Sequence, residues 1–200
     1  MDDLPYAAAP DDERPVAYDR DPSNTYQQQM RDGSGEVWNH QAMRHTARLI
    51  ERFRHIAPGQ SGADAPASLQ ARGRLYPGVV RKVFDQNNRR LRADRPSHTV
   101  AATFYANLLH PTYHRNLTPR EGARLQSFPD RYVFMGRKTT PSRKLLEREG
   151  RLHDLHLTQY NQIGNAVPPL LAQAVAGAIA RRLVDRDRHS GVPTEKVGHG

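Results

Sequence analysis

Asn116-Leu117-Thr118-Pro119-Arg120-Glu121-Gly122-Ala123-Arg124-Leu125-Gln126-Ser127-Phe128-Pro129-Asp130 is the stretch on which the reading of this chain turns. Thr118 is a natural N-cap, Pro119 suits the first helical position, and Glu121, three residues past the cap, can close a capping box. The stretch therefore predicts a helix over Thr118–Gln126, stopped by Phe128-Pro129-Asp130. Arg120 and Arg124 stand four residues apart and share a face, where they can pair with carboxylates or with phosphates. A surface helix with ordinary salt bridges would use the same residues. Further on, Gln162-Ile163-Gly164-Asn165-Ala166-Val167-Pro168-Pro169 sets Gly and Asn before a Pro-started helix. Free N–H groups at such an N-terminus, and an Asn amide that both donates and accepts, can meet a polar ligand group.

Beyond Pro168-Pro169, Leu171, Ala174, Val175, Ala178 and Ile179 make an apolar stripe, and residues 185–200 read as a polar tail. Upstream, Met43, Ala47, Ile50 and Phe53 recur at helical steps, which predicts a helix over Asn39–Ile56 with Asn39 as N-cap and Pro58-Gly59 as its stop. Residues 58–78, with three Pro and four Gly, read as loop. Val79–Phe84 and His98–Thr103 are strand candidates, and Ser142–Glu149 a short helix. Residues 1–30, rich in Asp, Pro, Ala and Gln, read as an extended or disordered lead-in.

The chain of 200 residues carries a net charge of +9, with pI near 10.2, mean hydropathy −0.82 and 36% hydrophobic residues. Charge is uneven: residues 1–30 hold seven acids and two bases, so the remainder carries +14. A body this basic suits a polyanion, nucleic acid first. No apolar run reads as long enough to span a bilayer, and no signal-peptide pattern is present. We therefore expect no membrane partner and a cytoplasmic, nucleoid-associated protein. The absence of cysteine excludes disulfides, thiolate metal sites and a thiol nucleophile from this sequence. His153 and His156 are three apart without a third ligand nearby, so no metal is expected.

The two blocks together resemble the last two conserved blocks of the DNA cytosine-5 methyltransferases. Arg92-Ala93-Asp94-Arg95-Pro96-Ser97-His98-Thr99-Val100 is similar to a D-x-P-S-x-T-V segment of that family's recognition domain, and Asp2-Asp3-Leu4-Pro5 to an element that follows its catalytic domain. Asn39-His40 and Ile56-Ala57-Pro58-Gly59 resemble its entry to the recognition domain. The resemblance implies that Asn165 and Ala166 touch S-adenosylmethionine and that Thr99 approaches the DNA backbone. Arg120, Glu121, Arg124, Gln162, Gly164 and Pro168 hold the motifs in shape.

The family's Phe-x-Gly-x-Gly cofactor loop, Pro-Cys nucleophile loop, Glu-Asn-Val strand and Gln-x-Arg-x-Arg strand are absent from this sequence. The reaction needs a thiolate to add at carbon 6 of a flipped cytosine before carbon 5 accepts a methyl group. The resemblance thus implies the target-recognition subunit of a split, heterodimeric DNA (cytosine-5-)-methyltransferase of a restriction-modification system. A partner chain would hold the catalytic cysteine and most of the S-adenosylmethionine site, and the substrate would be double-stranded DNA. The alternative is a non-catalytic DNA-binding or interaction protein derived from a methyltransferase.

The implied fold is α+β: a small irregular recognition domain with short strands, and a C-terminal helix that completes a partner's Rossmann-like domain. Its parts are an acidic lead-in (1–38), the recognition domain (39–136), a basic insert (137–159), the closing motif and helix (160–184) and the tail (185–200). The insert's Arg137, Lys138, Arg143, Lys144, Arg148 and Arg151 read as either a solvated face or a phosphate contact. Base-edge readers are sought in residues 64–92, with Arg72, Arg74, Arg81, Lys82, Gln86, Asn87 and Asn88 as candidates.

Overall fold

In the computed structural model, which describes residues 2–7, 14–70, 85–139, 143–153 and 158–190, the capping box of the first motif is formed. Thr118 Oγ1 accepts from the Glu121 amide at 3.1 Å, and the Thr118 amide donates to Glu121 Oε2 at 2.8 Å. The helix that follows is Pro119–Leu125. In chain order the elements are β1 (Val16–Ala17), α1 (Thr25–Arg31), β2 (Glu36–Val37), α2 (Ala47–Arg54), β3 (Arg89–Arg90), α3 (Phe104–Asn107), β4 (Leu108–Leu109), α4 (Pro119–Leu125), α5 (Arg143–Arg148), α6 (Gln159–Gly164) and α7 (Pro169–Ser190). β1 pairs antiparallel with β2, and β3 parallel with β4. The architecture is mixed α and β with very short strands. The chain divides into two units, Met1–Ala166 and Val167–Gly200.

The core of the first unit gathers Leu91, Val100, Phe104, Leu108, Leu117, Ala123, Phe134, Tyr160 and Ile163. Apolar burial of this kind, at about 25 cal/mol per Å² removed from water, is its main source of stability. Phe104 and Tyr160 meet edge-on at 4.8 Å between ring centroids. Gly122 on α4 faces Phe104 so closely that an added Cβ would lie 2.2 Å from its Cζ, so the motif's glycine is required by packing. A second cluster joins Phe53 and Ile56 to Ala65 and Leu109. Between the clusters runs the buried Arg90, which meets no carboxylate among the described residues. Its guanidinium donates to the carbonyls of Ile56, His110, Tyr113 and Phe53, at 2.6 to 2.9 Å, and approaches His114 Nδ1 at 3.2 Å. An irregular backbone leaves carbonyls without ladder partners, and one five-donor side chain satisfies four of them.

Several expectations are corrected. Asn39 is not a helix N-cap: it sits buried at φ 61°, a region Asn tolerates. Its amide bridges both ways to the Phe134 backbone at 2.9 Å. The helix starts instead after Thr46, whose side chain accepts from the Leu49 amide. His98–Thr103 is not a strand but an extended segment and turn leading into α3, because nothing pairs with it among the described residues. Val79–Phe84 lies outside the described residues.

The described residues of 1–30 are not a loose lead-in. Leu4, Ala7 and Met30 are buried in the first unit, and α1 is capped by Asn24. Finally, an 18-residue window within Gln159–Arg186, of mean hydropathy 1.4, is long and apolar enough to cross a bilayer by length and composition, contrary to the sequence reading. A break at residues 165–168 separates α6 from α7 inside that span.

Candidate functional site

The charged residues of the first motif point inward. Arg120, Glu121 and Arg124 are all at most 2% exposed. Arg120 donates to the carbonyls of Trp38 (2.9 Å), Pro129 (3.3 Å) and Tyr132 (2.6 Å). Arg124 grips Asp130 through Nε at 2.7 Å, and Asp3 through its two Nη atoms at 3.1 and 3.2 Å. Tyr18 Oη donates to the same Asp130 at 2.6 Å, and burial together with this carboxylate pushes the phenol up to about 12. Of the two roles open to these arginines, the structure fills the carboxylate and carbonyl one. Phosphates have no access to them.

Glu121 is held on its other side by Arg115, with two bonds of 2.7 Å. Burial alone would raise its pKa, but the Arg115 guanidinium outweighs it and holds the carboxyl down at about 2. His110 Nε2 lies 3.7 Å from Glu121 Oε1 while its Nδ1 accepts from the amides of Thr112 and Tyr113. The neutral ring therefore carries its proton on Nε2. Burial pushes His110 down to about 4, with Arg115 and Arg90 acting in the same direction against the pull of Glu121. His40 bridges Thr118 Oγ1 and the Pro5 carbonyl, and burial lowers its pKa as well.

The second motif has a different local structure from the one expected. Gly164 and Asn165 do not open the last helix. They end a separate short helix, α6, capped at its start by Thr158 and at its end by Asn165. α6 is bolted to the first motif: Tyr160 Oη donates to the Leu117 carbonyl at 2.8 Å, and Gln126 Nε2 to the Ile163 carbonyl at 2.9 Å. Gln162 Nε2 donates to the Met135 carbonyl at 2.8 Å. The Asn165 side chain is exposed and Ala166 half-buried. α7 then starts with the expected Pro168-Pro169, the Ala172 amide donating to the Pro168 carbonyl at 2.9 Å. Its Leu171, Val175, Ile179 and Leu183 are each about half exposed.

Of the DNA-facing candidates, Thr99 is exposed just before the buried Val100. Gln86 and Asn87 are exposed on a turn, and Asn88, at φ 54°, is half-buried. The turn is anchored by Gly62 N–H to Asn87 O and by Asn88 N–H to Ala106 O. Arg72, Arg74, Arg81 and Lys82 lie outside the described residues. A cavity of about 500 Å³ opens between Asp2–Pro5, Leu91–Ser97 and Pro111–Tyr113, with Arg20, Arg92 and Arg95 on its walls. In the insert, Lys144 and Arg148 are exposed on α5 while Leu146 is buried. No cluster of metal-ligating side chains exists among the described residues. Sequence reasoning missed Asp3, Arg115 and His110 as partners of the motif. Only Asp130, at the end of the quoted string, carried a local signal.

Residues 6–181 match the family described as C-5 cytosine-specific DNA methylase. The chain belongs to that family. This methylase-family chain is 48% identical over 181 residues to the type II methyltransferase M.DdeI of Desulfomicrobium norvegicum, covering 90% of itself but 41% of that protein. It is 37% identical over 135 residues to the type II methyltransferase M.AquIB of Picosynechococcus, covering 92% of that shorter relative. Its fold is similar to that of a solved structure described as a DNA modification methyltransferase encoded within an E. coli prophage. There the TM-score is 0.56 and the identity 19%, over 90% of this chain and 44% of the other. The chain thus spans under half the length of M.DdeI and of the prophage protein.

Proposed function

We propose that this chain is the target-recognition subunit of a split DNA (cytosine-5-)-methyltransferase, which transfers a methyl group from S-adenosylmethionine to cytosine in double-stranded DNA. The observation that carries the reading is a pair of coverages. The chain takes up 92% of M.AquIB and 41% of M.DdeI, so a relative of nearly this extent exists beside much longer ones. The sequence holds no cysteine, and the family's addition–elimination chemistry requires a thiolate. In this reading the thiolate and the bulk of the cofactor site lie on a catalytic partner chain.

Residues 39–136, after the acidic segment 1–38, form the recognition domain in this reading and present Thr99, Gln86 and Asn87 to DNA. Residues 137–159 are a basic insert. Residues 160–184 carry Asn165 and Ala166 to the cofactor and lay the apolar side of α7 on the partner's Rossmann-like domain. Phosphate contacts supply affinity, and base-edge contacts supply the sequence choice. The enzyme belongs to a restriction-modification system in the cytoplasm.

The test is methyl transfer from labelled S-adenosylmethionine to unmethylated DNA. The purified chain alone is expected to be inactive, and co-expression with a chain carrying the Pro-Cys, Phe-x-Gly-x-Gly and Glu-Asn-Val motifs to restore transfer. Transfer by the chain alone would overturn the split reading. A complex that forms, binds DNA and never transfers would favour a non-catalytic module.

A further inference from the structure

Gly164 owes its identity to space. Its φ is not in the left-handed region, so backbone conformation does not demand a glycine there. An added Cβ, however, would lie 2.4 Å from the carbonyl carbon and oxygen of Ala101 and from the amide nitrogen of Ala102. All three are backbone atoms, which cannot rotate aside as a side chain can. Asn161 Nδ2 reinforces the same contact by donating to the Ala102 carbonyl at 3.3 Å. The last turn of α6 thus lies directly on the segment two residues beyond Thr99, and the residue after Gly164 is Asn165. Because Tyr160 and Gln126 tie α6 to the first motif, the helix cannot back away from that contact without breaking hydrogen bonds.

We propose that Gly164 is a positioning residue that couples DNA at the Thr99 segment to the cofactor at the Asn165 turn. The inference rests on the methyltransferase reading above. A phosphate drawn onto Thr99 shifts or stiffens the backbone through Ala102. With no side chain between the two backbones, the displacement passes to Gly164 and so to the amide beside it. Tight interiors transmit small displacements in this way. By linkage the effect is reciprocal: cofactor at Asn165 tightens DNA by the same factor. A glycine needed only for folding would change stability and both affinities together.

The experiment uses the co-expressed two-chain complex. S-adenosylmethionine affinity is measured by calorimetry with and without unmethylated plasmid fragments, for wild type, Gly164→Ala and Asn161→Ala, alongside thermal melting. In wild type, DNA is expected to tighten S-adenosylmethionine binding at least about fivefold, the lower range for allosteric coupling. In Gly164→Ala the gain, read against that variant's own affinity without DNA, is expected to vanish. If Gly164→Ala does not melt cooperatively, the decision passes to Asn161→Ala, which removes the bond to the Ala102 carbonyl and the one accepted from Thr158 Oγ1 without adding bulk, and is expected to lose part of the gain. Full retention of the gain in a folded variant overturns the proposal. A wild-type complex whose cofactor affinity ignores DNA overturns the coupling and leaves the methyltransferase reading standing. A wild-type complex that binds no S-adenosylmethionine overturns both.

Discussion

The two motifs lie on neighbouring elements yet deploy their polar groups in opposite ways. In Leu117–Asp130, Arg120, Glu121, Arg124 and Asp130 are buried, each held by carbonyls, carboxylates or guanidinium groups of the chain itself. At the end of the second motif Asn165 is exposed, and the apolar positions of α7 that follow are about half exposed. Charge in the first region is invested in holding the fold, whereas the second presents groups outward. Two strings that look equally functional in sequence therefore call for different experiments: the first should fail in stability, the second in association and ligand affinity.

The largest effect is expected from Arg124→Ala, which leaves Asp130 and Asp3 buried without their shared cation. Breaking a buried pair from one side costs about 3–5 kcal/mol, to be read from urea denaturation of the isolated chain. A loss below about 1 kcal/mol, the scale of surface pairs, would erase the contrast.

Acid comes next. His110 is neutral when folded, with its pKa near 4 against 6.5 unfolded, so the unfolded chain binds the extra proton. Stability should fall as pH drops from 6.5 toward 4, by up to about 3 kcal/mol, with His40 contributing in the same direction. Glu121 behaves as a depressed carboxylate: its contribution is complete above its unfolded pKa of 4.5 and is lost as pH falls toward about 2. Denaturation midpoints at pH 7, 5, 4 and 3 should therefore decline in two stages. His110→Asn, which keeps an acceptor for the Thr112 and Tyr113 amides, should flatten the first.

For the outward region, Asp at Val175 and Ile179 should leave the melting of the isolated chain unchanged. The same change should weaken co-purification with the catalytic partner by about 2 kcal/mol, the scale of a buried interface side chain. Equal losses in both measurements would mean that α7 serves the chain's own fold. The smallest effect is expected from Asn165→Ala: roughly tenfold in S-adenosylmethionine affinity of the complex, or about 1.4 kcal/mol, with melting unchanged. Unchanged affinity would reduce the Gly-Asn turn to a helix cap.

What could be read from sequence followed the range of the interactions involved. The cap at Thr118, Pro119 at the helix start and the onset of α7 depend on residues three or four apart, and all three form as read. The resemblance carried the family where composition could not. Asn39 and His98–Thr103 misled because their roles are set at long range. Asn39 is claimed by Phe134, 95 residues away, and the would-be strand meets no pairing partner among the described residues. α6 went unseen because Thr158, its cap, fell at the edge of a stretch dominated by basic residues. The lead-in reads as unstructured because Asp3 and Tyr18 find their partners in Arg124 and Asp130, which no local pattern connects to them.

That last arrangement also sets the order of events during synthesis. Asp3 meets Arg124 across 121 residues, and Tyr18 meets Asp130 across 112. At about 5–20 residues per second, Asp3 leaves the ribosome roughly 6–24 s before Arg124, the more distant of the two arginines that pair with it. Until then Arg31 is within reach of Asp3, but the α4 side of the native site for Leu4 and Asp3 has not been made. The acidic, proline-punctuated composition of the opening segment keeps it soluble while it waits, and the final closure of the first unit becomes a late step of folding.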